Sequence, residues 1–200
     1  MERLNALAAK LRLNEYKAFV FDDIDAANKH IADMCQGKIV GMGDSHTIKK
    51  MGLTEILESQ NGDNLVTCFT DKSKANKLKT IASDIFLLSA NAIAEDTGEM
   101  VNIDSSCNRV AGSLYGPAEV VFIIGKNKIE KDLAAAIYRA RNIAAPINAR
   151  AHNYGTPCVK TGKCENCFHP ERICRATVIY HKRPKPMKAT VILINQDLGF

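Results

Sequence analysis

A chain of 200 residues, 46% of them hydrophobic and 24% charged, can bury one full core but is too short for two independent domains. No segment approaches the roughly 20 consecutive apolar residues that span a bilayer, and the first residues lack the apolar run of a secretory signal, so a cytoplasmic protein with no membrane partner is expected. The formal net charge of +5 is concentrated in residues 158–188, where eight Lys or Arg face two Glu; few aromatic residues are interleaved there to stack bases and four cysteines are, which argues against nucleic acid as a partner.

The opening "ERLNALAAKLRL" has helical composition and no chemistry of its own, which suits scaffold or a homo-oligomer contact. Short β-branched or apolar runs then recur at 18–21, 38–42, 65–69, 84–90 and 119–124, with helical stretches between them. That alternation predicts an α/β fold: a Rossmann-like, mostly parallel sheet with flanking helices. From Ile129 to Ala145 a 3.6-residue apolar period predicts an amphipathic helix that Pro146 stops. Beyond it the periodicity ends. A cysteine-bearing loop leads to "ATVIY" and "ATVILI", which are expected to form a terminal β-hairpin. The expected organisation is a single domain, with an N-terminal helix over 1–15, an α/β core over 16–149, and a cysteine loop with terminal strands over 150–200.

In an open α/β sheet, ligands sit beyond the carboxyl ends of the strands. The loops 41–47, 91–109 and 125–128 are therefore expected to share one edge. In "GMGDSHT", Gly41 and Gly43 permit close backbone approach, and Ser45 and Thr47 stand at a helix start where a phosphate or carboxylate is favoured. Neither a phosphate-binding Walker motif nor a dinucleotide fingerprint is present. In the passage 89–129, "EDTGE" reads as a tight turn between two short strands, with Asn91 and Glu95 on one and Asn102 and Asp104 on the other. "SSCNRV" opens a helix whose amides, with Asn108 and Arg109, could hold an anion, and Lys128 follows the last of these strands into the same crevice. Each of these residues also has an ordinary structural use as a turn cap or a solvated charge.

Cys158, Cys164, Cys167 and Cys174 have the spacing C-x5-C-x2-C-x6-C. A C-x2-C turn directs two thiolates at one centre and two more can complete a four-sulfur shell, so a metal is expected, either an iron-sulfur cluster of the four-iron type or zinc. Lys160, Lys163, Arg172 and Arg175 would offset its negative charge. Cys35, Cys68 and Cys107 belong to separate elements and read as core or helix-start residues. An odd total of seven cysteines argues against a disulfide framework.

"GMGDSHTIKKMGLTEIL", "ANAIAEDTGEMVNIDSSCNRVA", "VVFIIGKNKI", "NIAAPINA…TPCVKTGKC" and "QDLGF" together resemble the LUD, or lactate-utilization, domain family in a short stand-alone form. The resemblance covers nearly the whole chain. It implies a fold similar to the sugar-phosphate isomerases and CoA transferases, in which a Gly-Ser-Thr loop holds the substrate's phosphate. It also implies a part in lactate or related organic-acid metabolism, with companion iron-sulfur oxidoreductase subunits as partners. Two departures stand out: Asn91 occupies the place of the isomerases' catalytic aspartate, and an amide cannot act as general acid or base at neutral pH; Asp44 replaces a glycine usual in the LUD turn. Three functions follow as alternatives: an accessory or redox protein that binds a small anionic ligand; an isomerase or acyl transferase using Glu95 or Asp104 as acid, base or nucleophile; and a non-catalytic ligand-sensing subunit.

Overall fold

The structure, a computed structural model, describes residues 1–68, 71 and 73–200. The chain opens with α1 (Glu2–Leu13), β1 (Lys17–Phe21) and α2 (Ile24–Cys35), the last capped by Asp23, whose carboxylate accepts from the Ala26 amide at 2.8 Å. β2 (Val40–Met42) leads into α3 (His46–Lys50) and α4 (Leu53–Asn61); Gly52, at a φ of +66°, breaks what would otherwise be one helix. β3 (Leu65–Thr67), α5 (Lys74–Ile81) and β4 (Ile85–Leu88) follow. The expected strand at 65–69 thus forms over its first three residues, and its last, Phe69, lies outside the described residues. The antiparallel pair β5 (Ala92–Ala94) and β6 (Met100–Asp104) comes next, closed by the "EDTGE" turn, then α6 (Asn108–Leu114) and β7 (Glu119–Gly125).

Six parallel strands form the main sheet in the order β1-β10-β7-β4-β2-β3, where β10 is Lys188–Ile194. β4, β7 and β10 are apolar almost throughout because helices cover both faces. The two-residue period of a strand sorts their side chains. Val120, Phe122 and Ile124 join Leu4, Leu7 and Leu11 of α1 in one core cluster, while Val121 and Ile123 join Ile31 of α2 and Leu57 of α4 in another. A second, four-stranded sheet has the order β8-β5-β6-β9, with β8 at Ile129–Glu130 and β9 at Ala176–Tyr180. The fold class read from the sequence is the one observed.

Two local expectations are corrected. "ATVIY" and "ATVILI" do not form a hairpin: β9 pairs antiparallel with β6 in the small sheet, and β10 inserts between β1 and β7 in the large one. The connection "HKRPKPMK" carries the chain from one sheet to the other instead of turning it back, so β10 is an interior strand of the main sheet, paired on both sides with strands of the core over 16–149. The amphipathic helix neither begins at Ile129 nor ends at Pro146. Ile129 starts β8, and α7 (Leu133–Arg139) is capped by Asp132 through the Ala135 amide at 2.7 Å. Helical backbone then continues through a π turn over Ala140–Ala144 into α8 (Ala145–Ala151). Proline lacks an N–H and its ring crowds the carbonyl four residues back; the wider π turn opens the ladder at that point and lets the helix pass. A short α9 (Pro157–Thr161) and an irregular stretch over 162–175 lead to β9.

Candidate functional site: a basic cavity at the strand ends

A cavity of about 370 Å³ lies beyond the carboxyl ends of β2 and β4, and residues from all three predicted loops reach it. At its floor is Lys128, in the turn after β7 and only 4% exposed. Its Nζ donates to Thr47 Oγ1 at 2.8 Å, Ser89 Oγ at 3.0 Å and the Ala90 carbonyl at 3.1 Å. All three acceptors are neutral. Burial drives the Lys128 pKa well below that of a free lysine, and the positive charges of Arg139 and Arg109 push the same way. Ser45, which lines the cavity beside Thr47, caps α3 by accepting from the Ile48 amide at 3.4 Å.

The wall is built by the β5–β6 pair and the start of α6. Asn91 Oδ1 accepts from the Ile103 amide at 2.7 Å, and the Asn91 amide donates to Asn102 Oδ1 at 3.0 Å, which locks the two strands in register. Asp104 takes the Ser105, Cys107 and Val110 amides on its two oxygens at 2.7, 3.3 and 3.2 Å. Amides expected to be open to an external anion thus already hold an internal carboxylate. Arg109 donates to the Ile103 carbonyl at 2.7 Å and lies 3.5 Å from Asp104, its side chain still lining the cavity.

Of the residues singled out in the sequence, Ser45, Thr47, Asn91, Asp104, Asn108, Arg109 and Lys128 are brought together around this space. The others are placed elsewhere. Gly41 lies inside β2, where a Cβ would stand 2.2 Å from the Thr80 carbonyl oxygen, and Gly43 makes room for the Arg109 stem; both serve packing. Asn102 is fully buried behind the wall. Glu95 follows β5 at the opposite end from Asn91, where Arg3 binds it at 2.7 Å and holds its pKa below the usual carboxylate value; it is not part of the cavity lining.

Several lining residues were not anticipated. Ser89, at the end of "DIFLLSA", is where the strand-end rule points. Asn148 and His152 arrive only because the helix passes Pro146. Arg139, 5% exposed, fastens the site from behind, donating to the carbonyls of Asn91 at 2.6 Å, Asn127 at 3.0 Å and Phe200 at 3.3 Å. At the mouth the His46 ring packs on Phe200, with centroids 4.2 Å apart, and burial lowers the His46 pKa. Asp44 lies beside it. Its burial opposes ionisation, but the Lys49 ammonium at 2.7 Å outweighs that and keeps the carboxylate charged.

The four cysteines Cys158, Cys164, Cys167 and Cys174 line a second, small cavity behind the first. All are free thiols. Among the described residues, no three His, Cys, Asp or Glu side chains stand close enough around one point to hold a metal ion in this conformation. Cys35 and Cys68 are buried in the core, and Cys107 precedes α6 with a φ of 60°. No described helix is long and apolar enough to cross a membrane.

The LUD domain family model matches residues 4–194. No curated protein matches the chain. A crystal structure of a DUF162 family protein from Deinococcus radiodurans superposes with a TM-score of 0.56 over 96% of both chains, at 15% identity, a likeness in fold alone.

Proposed function

The chain belongs to the LUD domain family, and on that footing we propose that it binds a small organic or inorganic anion, a carboxylate or a phosphate, in the cavity at the strand ends, in the service of lactate or related organic-acid metabolism. The observation that carries this reading is Lys128: a buried amine with three neutral acceptors and two arginines nearby, whose charged form lacks a full counter-charge that an anion above Thr47 and Ser89 would provide. Asp104 offsets part of Arg109 and Glu130 lies 3.7 Å from Arg139, which leaves the cavity positive near its floor. Ser45, Asn91 and Asn108 add neutral polar contacts. Binding is favoured over isomerase or transferase chemistry because Asp104 is spent on capping α6 and Glu95 points away to Arg3. In the same reading the four-cysteine loop is a metal centre, behind the anion site and not within it.

Calorimetric titration with inorganic phosphate and with lactate tests the proposal. An anion that charges Lys128 must draw a proton from the buffer, so the apparent heat should vary with the buffer's ionisation enthalpy. Affinity should fall by about tenfold per pH unit as pH rises above the depressed Lys128 pKa. Arg109→Ala should weaken binding by ~10-fold or more, from loss of a charge-assisted contact. Absence of binding by either anion, or equal affinity for the Arg109→Ala chain, would remove the basis for an anion site here.

A further inference from the structure

A lactate or phosphate ion at the floor would leave most of the cavity unfilled. At ~30 Å³ per molecule of liquid water, 370 Å³ holds roughly a dozen waters, of which so small an anion displaces about a third. The rest of the space has walls of a different kind. Around Lys128 the lining is hydroxyl, amide and guanidinium; towards the mouth it is made of rings. Phe200 packs on His46 with centroids 4.2 Å apart, His46 on His152 at 6.0 Å, and His152 on Tyr154 at 5.9 Å. All four line the cavity.

Three segments remote in sequence supply this rim: α3, the end of α8 with the turn after it, and the last residues of the chain. None of the four residues is fully buried, so each keeps surface that its neighbours leave uncovered. Burial lowers the His46 pKa, which leaves that ring uncharged at neutral pH. Ala144, Ala145 and Ile173 extend the apolar lining, and the two alanines are small enough to leave a flat surface where the π turn runs into α8. The cavity is therefore amphipathic, with charge at one end and rings at the other.

Resting on the reading of this cavity as an anion site, we propose that its ligand is an aromatic acid: a carboxylate or phosphate carrying a planar ring two or three bonds from the charged group. The two ends are close enough for one such molecule. Thr47 accepts from Lys128 Nζ at 2.8 Å, and His46 is the next residue in the chain, so the rim begins one residue from the floor. Aromatic rings attract one another edge-to-face or offset at centroid separations of ~4.5–7 Å, and the rim already holds its rings at such spacings; a ligand ring joins the series. Aliphatic bulk of the same size gains the burial without the ring contacts.

Calorimetric titration of the whole chain compares L-lactate with L-3-phenyllactate, which adds only a ring to the same 2-hydroxy acid, and with L-3-cyclohexyllactate, which has the same carbon count and no π system. Phenyllactate should bind at least about tenfold tighter than lactate, and the cyclohexyl acid should fall several-fold short of it. Phe200→Leu keeps apolar bulk and leaves the bond from Arg139 to the backbone carbonyl of this residue in place. It should remove most of the phenyl advantage and leave lactate affinity within about twofold. Phenyllactate no tighter than lactate would overturn the aromatic acid and leave the anion site standing. So would an equal gain from the cyclohexyl acid, or a Phe200→Leu chain that keeps the phenyl advantage or loses both acids alike, since Phe200 would then be scaffold. No binding of any of the three acids, or of inorganic phosphate, would overturn both readings. The comparison among the acids is made on the unmodified chain, so it stands even where the variant does not fold.

Discussion

Lys128→Met is expected to make the protein more stable and useless as an anion binder. Methionine keeps the length of the stem inside a site that is 4% exposed, and removes only the charged end. The loss is three hydrogen bonds from Nζ to neutral acceptors. Against it stands the desolvation of an ammonium with no carboxylate among its described contacts, a penalty of several kcal/mol. The acceptors left behind are not orphaned, because Thr47 Oγ1 can donate to Ser89 Oγ at 3.2 Å and Ser89 Oγ to the Ala90 carbonyl at 3.2 Å. Because the Lys128 pKa lies well below the free value, desolvation exceeds what these bonds return, and exchanging the buried charge for an apolar side chain of similar volume is expected to stabilise by about 2 kcal/mol where the amine is charged, or roughly 4–8 °C in melting temperature for a chain of this size. The sign of its pH dependence follows from the lowered Lys128 pKa. Between that folded-state value and the 10.5 of the unfolded chain, the unfolded state binds more protons, so wild-type stability rises with pH across the window. The advantage of the variant is therefore largest below the window and shrinks towards its upper end. Urea unfolding of both chains at several pH values measures this. Saturating anion should then stabilise the wild type by about 2.7 kcal/mol at a hundred times Kd and leave the variant unmoved. A variant that loses more than ~1 kcal/mol without ligand, or a gap that does not change with pH, would mean that Lys128 is a structural strut and that no counter-charge is missing.

Gly41→Ala should cost about 3 kcal/mol, measured by urea unfolding, since its methyl would meet a backbone oxygen at 2.2 Å and the Ser83 hydroxyl at 2.5 Å. Retained stability would show that β2 can move away from α5. Glu95→Gln should leave anion affinity unchanged and cost less than ~1 kcal/mol, because it removes only a largely exposed ion pair with Arg3. A tenfold loss of affinity in calorimetry would bring Glu95 back into the site.

What could be read from the sequence was whatever local pattern controls. The strands at 17–21, 85–88 and 119–125 declare themselves by continuous apolar runs, and the strand-end rule then brings Ser45, Asn108 and Lys128 to one place before any coordinate is known. What stayed hidden depends on partners distant in the chain. β9 and β10 look like a hairpin because both are short apolar runs, and nothing between them says that one joins β6 and the other β1. Pro146 looks like a stop because the π turn that lets the helix pass it has no sequence signature here. Asn148 and His152 were lost with it. That Glu95 stands outside the cavity lining was also not legible, because it depends on Arg3, 92 residues away in the chain, which holds its carboxylate.

The position of β10 has a consequence for how the molecule comes into being. β1, which leaves the ribosome well before β10, has β10 as its neighbour in the sheet, and α1 packs into a core completed by Ala189, Val191 and Leu193. Synthesis at about 5–20 residues per second leaves these early elements waiting many seconds for their partner. During that interval the edge of β7 that β10 will occupy is open, with apolar side chains on both faces. The nascent chain therefore cannot settle piece by piece from its front end; it must close in one late step, over a long loop, as proteins dominated by distant contacts do. Shielding of that edge by a chaperone is what would keep such a chain from pairing with its neighbours on a polysome.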